Sequence, residues 1–168
     1  MRLLLIASVL IHSLLFASRA ALAGELNIDI DIPQLNVAEY HRPYFALWVE
    51  DEKGQNSAHL QLWYDGETRW LHHMRRWWRR VGRDATLPID GVTGATRGPG
   101  GYQLTFNSKN SELSKLAPGK YDLVIEVSRE VGGRELIRMP FEWPINNART
   151  ETAAGEIELG NITLTLNP

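Results

Sequence analysis

The sequence predicts an all-β protein, an antiparallel β-sandwich of about seven strands with one short amphipathic helix. Three observations carry that prediction. Apolar residues recur with a period of two along most of the chain, turn residues interrupt the runs at close spacing, and a single segment changes to a period of three to four.

The first strand is "LNIDIDI". Leu26, Ile28, Ile30 and Ile32 share one face and Asn27, Asp29 and Asp31 the other, as in a half-buried antiparallel strand, and Pro33 ends it. "PYFALWVED" at 43–51 is apolar on both faces, as a central strand is, and "KGQNS" supplies the turn after it. "AHLQLWY" at 58–64 alternates again. Further strands are expected at 101–107, 119–130, 135–143 and 156–167, with turns at Asp65-Gly66, Pro118-Gly119 and Gly132-Gly133. Pro140 and Pro144 confine the sixth strand to an edge or make it bulge.

The exception is "TRWLHHMRRWWRRVG" at 68–82. Trp70, Met74, Trp77 or Trp78, and Val81 fall on one side of a helix, with His72, Arg76, Arg79, Arg80 and Arg83 mostly on the other. Such a helix can cap one open end of the sandwich, its tryptophans buried and its arginines in water. It can also offer a cationic, aromatic surface to a flavin phosphate, a redox partner or a membrane headgroup.

Residues 1–23 have the layout of a secretory signal peptide: Arg2, then the apolar run "LLLIASVLIHSLLFA", then Ala21-Leu22-Ala23 before Gly24. The run is short for a membrane anchor, and no other stretch is long and apolar enough to span a bilayer. The expected mature chain, 24–168, is one periplasmic sandwich domain with no stable membrane insertion. There is no cysteine, which excludes disulfides, thiolate metal sites and iron–sulfur clusters. Removing 1–23 takes Arg2 and Arg19 and leaves 16 basic and 20 acidic residues, a balance that argues against nucleic acid as a partner.

"RPYFALWVEDEKG", "RWLHHMRRWWRR", "DGVTGATRGPGGYQLTF" and "APGKYDLVIEVSREVGG" follow one another as in the bacterial domain-of-unknown-function family 2271, which the chain resembles from about Leu26 to its end. That resemblance implies a periplasmic protein. "LAPGKYDLVIEV" is also similar to the immunoglobulin-like module of flagellar hook-capping proteins, which implies an immunoglobulin-like sandwich. Members of the family accompany FMN transferases and membrane redox proteins of the PepSY type, which implies a place in extracytoplasmic electron transfer or metal reduction.

One segment carries chemistry. In "DGVTGATRGPG", Asp90, Thr93, Gly94, Ala95 and Thr96 resemble the tag on which exported flavoproteins receive covalent FMN, with Thr96 at the acceptor position. A threonine hydroxyl can form a phosphoester with the flavin phosphate. Gly94 and Ala95 leave room for a transferase, and the backbone of the Gly-rich loop together with Arg97 can hold phosphate oxygens. Asp90 can position the loop or engage the transferase. Against this, Gly98 stands where the tag has Ser or Thr. The same residues also make a plain two-bend connection capped by Thr93 and Thr96. Trp70, Trp77 and Trp78 are the expected ring platform, with Arg75, Arg76, Arg79, Arg80 and Arg97 as candidate cations.

Other chemistry is thin. His72 and His73 point about 100° apart on a helix, so a metal site needs distant residues such as His41 or His59 with carboxylates. No catalytic residue is expected, since no nucleophile elbow, zinc-protease motif or Walker loop occurs. Three readings follow. The first is a non-catalytic accessory or binding subunit of an extracytoplasmic redox or metal-reduction system. The second is an electron-transfer protein with FMN on Thr96, and the third a histidine-based metal-binding module.

Overall fold

A computed structural model describes residues 24–168; the signal peptide expected at 1–23 lies outside the described residues. The described chain forms β1 (Glu25–Ile32), β2 (Tyr44–Asp51), β3 (Asn56–Trp63), β4 (Thr93–Gly94), β5 (Gly100–Asn107), β6 (Gly119–Ser128), β7 (Arg134–Trp143), β8 (Arg149–Ala154) and β9 (Asn161–Asn167). They build two sheets, of order β5-β1-β9-β8 and β4-β3-β2-β6-β7. Pairing is antiparallel throughout except where β4 runs parallel to β3. The architecture is a β-sandwich, and β7, the strand with Pro140, lies at an edge, where its missing N–H breaks no central ladder.

The inner faces meet as the alternation requires. Leu26, Ile28, Ile30 and Ile32 of β1 face Phe45, Leu47 and Val49 of β2 and Leu123, Ile125 and Val127 of β6 in one buried cluster. The opposite face of the five-stranded sheet is not solvated. Tyr44, Ala46 and Trp48 of β2, with Leu62 and Val124, form a second buried cluster under Leu71, Met74, Trp77 and Val81. The buried residues therefore form two cores, one on each side of β2, and Trp48 belongs to the outer one.

The helical segment 68–82 consequently lies on a sheet face and not at an open end of the sandwich. It is also less regular than its spacing suggests: a 3-10 stretch Thr68–His73, a single α turn Arg75–Trp77, and a π turn Trp78–Gly82. Met74, at φ −75° and ψ 75°, breaks the first from the second. The Glu126 carboxylate on the sheet accepts the N–H groups of Arg76 (3.1 Å) and Trp77 (2.6 Å), so the sheet supplies the cap that the local sequence lacks.

Two strands were not expected. β8 is mostly exposed and shows no apolar alternation, and β4 is two residues long. The strand expected over 156–167 begins only at Asn161. The N–H groups of Glu156, Ile157, Glu158 and Leu159 instead converge on the Glu135 carboxylate, which bends that stretch away from any ladder.

The two cores make separable predictions. Ile125→Ala should cost about 2–5 kcal/mol and Trp48→Ala about 3–5 kcal/mol in urea unfolding. Only Trp48→Ala should also speed hydrogen exchange at the Trp77 and Trp78 amides well before global unfolding.

Candidate functional site

The stretch from Ile89 to Gly100 is a built structure. Asp90 and Gly91 form a tight turn, with Gly91 at φ +69°. The amides of Val92 (3.2 Å) and Thr93 (3.0 Å) both donate to the Ile89 carbonyl. The Thr93 hydroxyl closes the turn by accepting the Ile89 N–H at 2.8 Å. Val92 is buried in the outer core. Its carbonyl accepts from the Leu62 amide (2.9 Å) and Gln61 Nε2 (2.7 Å), and the Gly94 carbonyl accepts from the Tyr64 amide at 3.0 Å. Thr93 and Gly94 are thus riveted to β3.

Beyond Gly94 the chain crosses to β5 in the other sheet. Ala95 and Arg97 are exposed and Thr96 is half-buried. The Thr96 hydroxyl makes no hydrogen bond to any described residue, whereas that of Thr93 is occupied. The Arg97 guanidinium lies over the Trp63 ring at 4.4 Å and 5.0 Å from the Tyr102 ring centre. The Tyr102 hydroxyl donates to the Gly98 carbonyl at 2.7 Å and braces the crossing. A Cβ on Gly94 would meet Trp63 Cδ1 at 3.5 Å, and one on Gly98 would lie 3.9 Å from Arg42 Nε. Two cations, Arg97 and Arg42, therefore flank the segment.

These neighbours differ from the expected ones. Trp77 is buried and Trp70 and Trp78 are half-buried in or against the outer core, together with Val92 and Ile89. The rings beside 94–98 are Trp63 and Tyr102. Asp90 faces a different cleft, of about 290 Å3, lined by His59, Val92, Glu112 and Lys115 among others. Trp63 and Tyr102, brought to the loop by sheet pairing, and Arg42, on the approach to β2, carry no signal in the sequence as site residues.

The arginines divide by direction. Arg76 points inward, bonding the fully buried Glu50 through Nε (2.8 Å) and Nη2 (2.5 Å), so it is not a free cation. Arg138 also bonds Glu50, and Trp48 Nε1 donates to it at 3.0 Å. Arg134 Nε bonds the equally buried Glu126 at 2.5 Å. Arg69, Arg75, Arg79, Arg80 and Arg83 are exposed, and among the described residues only Arg69 has a carboxylate in range, Glu67 at 3.8 Å.

The histidines do not gather into one metal site among the described residues. His41 contacts Glu39 and Glu130, and His59 contacts Asn56. The rings of His72 and His73 meet at 4.4 Å, but no three metal-ligating side chains converge among the described residues.

Two tests follow from this chemistry. Glu126→Ala removes one partner from a buried charged network and should cost about 3–5 kcal/mol in urea unfolding. The second concerns acid. Burial pushes the His59 pKa below 6.5. Burial also opposes the charge of Glu112, but Lys115 at 2.5 Å and the His59 amide at 2.7 Å outweigh it and hold that carboxyl below its usual range. In both cases the unfolded chain binds more protons in acid, so stability should fall as pH drops below 6.5 and again through the carboxylate range. His59→Gln should flatten the first part of the urea-midpoint profile and leave the second.

A family model described as "Predicted periplasmic protein (DUF2271)" matches residues 25–161. No curated protein and no solved structure matches the chain.

Proposed function

The chain belongs to this family of predicted periplasmic proteins, and from that premise we propose that it is an exported electron carrier holding FMN covalently on Thr96. In this reading residues 1–23 export it to the periplasm, and its partners are an FMN transferase and a membrane redox protein of the PepSY type.

One observation carries the reading. The tag-like segment is fixed to β3 as far as Gly94, the Thr93 hydroxyl is engaged in its turn, and the Thr96 hydroxyl has no partner among the described residues. An acceptor needs that combination of a held backbone and a free nucleophilic oxygen. With a flavin dinucleotide as donor, the Thr96 Oγ–P bond forms, the pyrophosphate P–O bond breaks, AMP leaves, and the hydroxyl proton passes to a base of the transferase. In this reading Arg97, next to Thr96, and Arg42, 3.9 Å from where a Cβ on Gly98 would lie, are the cations that neutralise the phosphodiester that results. Exposed Asp90, on the turn ahead of β4, is available to the transferase. Bound FMN supplies electron transfer at a fixed place outside the cytoplasm, where a free flavin would diffuse away.

The accessory-subunit reading rests on the fold and the family's neighbours and gives Thr96 no role. The metal-binding reading needs histidines that converge.

Co-expression with an FMN transferase tests the proposal. Intact mass should show one added FMN on the wild-type chain, none on Thr96→Ala, and a reduced fraction on Thr93→Ala. Thr96→Ala should change stability by less than about 0.5 kcal/mol, while Thr93→Ala, which strands the Ile89 N–H, should cost about 1 kcal/mol. A wild-type chain without the added mass, beside a control substrate that is modified, returns the chain to the accessory-subunit reading.

A further inference from the structure

We infer that a cleft between the helical layer and the β6–β7 hairpin is a binding site for a phosphate group, carried by a soluble ligand or by a phospholipid. The cleft has a volume of about 350 Å3. His72, His73 and Arg75 line one side, and Ser128, Arg134 and the glycines of the hairpin turn line the other, with no acidic residue among them. It shares no residue with the segment around Thr96, and its occupancy does not depend on a covalent flavin.

The hairpin wall follows from strand alternation. Val127 of β6 goes to the inner core, so Val124, Glu126 and Ser128 face outward, toward the helical layer. Ser128 is only 3% exposed, and its hydroxyl makes no hydrogen bond to any described residue. Buried polar groups are nearly always paired, so an idle hydroxyl in the wall of a cationic cleft points to an oxygen brought by a ligand. Arg134 stands beyond the turn. Its Nε is tied to buried Glu126 at 2.5 Å, and its two Nη groups have no partner among the described residues. Glu126 itself is already satisfied by Arg134 and by the amides of Arg76 and Trp77. The wall is fixed from behind. The Glu158 carboxylate takes the Arg129 guanidinium at 3.0 and 3.1 Å and the Gly133 amide at 2.6 Å. Val131 at the tip holds φ +51°, a left-handed conformation that a β-branched residue adopts only under constraint.

The facing wall brings unmatched charge. Arg75 is exposed and has no carboxylate in range among the described residues. The Arg69 carbonyl can only accept, so His72 Nδ1 carries the hydrogen of their 2.5 Å contact and Nε2 is the ring's remaining polar atom. His73 lies against His72 at 4.4 Å and makes no hydrogen bond to a described residue. Beyond the cleft, exposed Arg79 and Arg83 continue from Arg75 at four-residue steps, and Arg83 Nη2 donates to the Arg79 carbonyl at 3.4 Å. That row concentrates anions near the cleft. Donors that reach in from two walls call for an anion with oxygens on more than one side. A carboxylate presents its oxygens in one plane, whereas a phosphate presents them around a tetrahedron, and the guanidinium fork matches its edges.

The experiment titrates the exported chain at low salt with two probes: inorganic pyrophosphate, followed by calorimetry, and phosphatidylglycerol vesicles, followed by sedimentation, with phosphatidylcholine vesicles as the blank. Saturable binding of pyrophosphate assigns the cleft to a soluble ligand. Binding to phosphatidylglycerol vesicles alone assigns it to a lipid headgroup. In either case Arg75→Gln should weaken binding about tenfold and Ser128→Ala severalfold, while Arg83→Gln, outside the cleft, should change it by less than about threefold. All three variants should keep the wild-type urea midpoint, because none of these side chains belongs to a buried ion pair. Should Arg75→Gln lower the midpoint, His73→Gln is the second variant of the same wall and should weaken binding severalfold. Equal losses from Arg75→Gln and Arg83→Gln, or full affinity in Ser128→Ala, would mean diffuse attraction to a basic face and overturns the site. Absence of binding to both probes overturns it as well.

Discussion

Two carboxylates buried in the middle of a sheet, Glu50 and Glu126, organise the outer half of this protein. Neither has any exposed surface. A bare carboxylate in that position would cost many kcal/mol, so each must be surrounded by donors that stay in place. Glu126 takes two backbone N–H groups of the helical segment and Arg134, and Glu50 takes Arg76, Arg138 and the Trp48 indole. The segment 68–82 is therefore bound to the sheet by backbone as well as side chains, and its path bends at Met74 to satisfy the carboxylates before helical regularity. Once it is pinned, Met74 and Trp77 close over β2 and β3, Val92 finds a buried slot, and the turn that starts the candidate site is anchored.

The strand alternation made the sandwich legible because solvent and core select opposite faces of the same residues, as in Leu26 to Ile32. It could not reveal the helical layer's position. "YFALWV" says only that both faces of β2 are covered, and the inner sheet and an outer layer satisfy that equally. The one available clue was the presence of Glu50 and Glu126 among strands that otherwise read as buried, a local conflict that called for partners from elsewhere. β8 escaped notice for the opposite reason: an exposed edge strand needs no apolar period. The 156–160 stretch misled because its alternation is real, while the Glu135 carboxylate offers its amides a better set of bonds than a ladder would.

The site divides in the same way. Its proposed acceptor segment is local, the four residues Thr93 to Thr96, and short motifs survive in one dimension. Its surroundings are assembled by topology. β4 joins one sheet and β5 the other, so the crossing between them gathers Trp63 from β3, Tyr102 from β5 and Arg42 from the approach to β2. No periodicity encodes such a meeting. The Trp-rich segment stands out by composition, yet its rings pack against the outer core, and the tryptophan that touches the loop is Trp63 at the end of β3, itself part of the inner core.

The sorting of the arginines has an effect that reaches past any contact. Those turned inward are matched with carboxylates, and those turned outward from the helical layer are, among the described residues, almost all unmatched, on a chain whose residues 24–168 carry an excess of acid. Such a molecule is an electric dipole. Near a charged surface it feels a torque before it feels a collision, at separations up to about a Debye length of 8–10 Å in physiological salt. It therefore arrives with one side leading, and the helical layer, which in the fold is a lid, becomes in motion the bow.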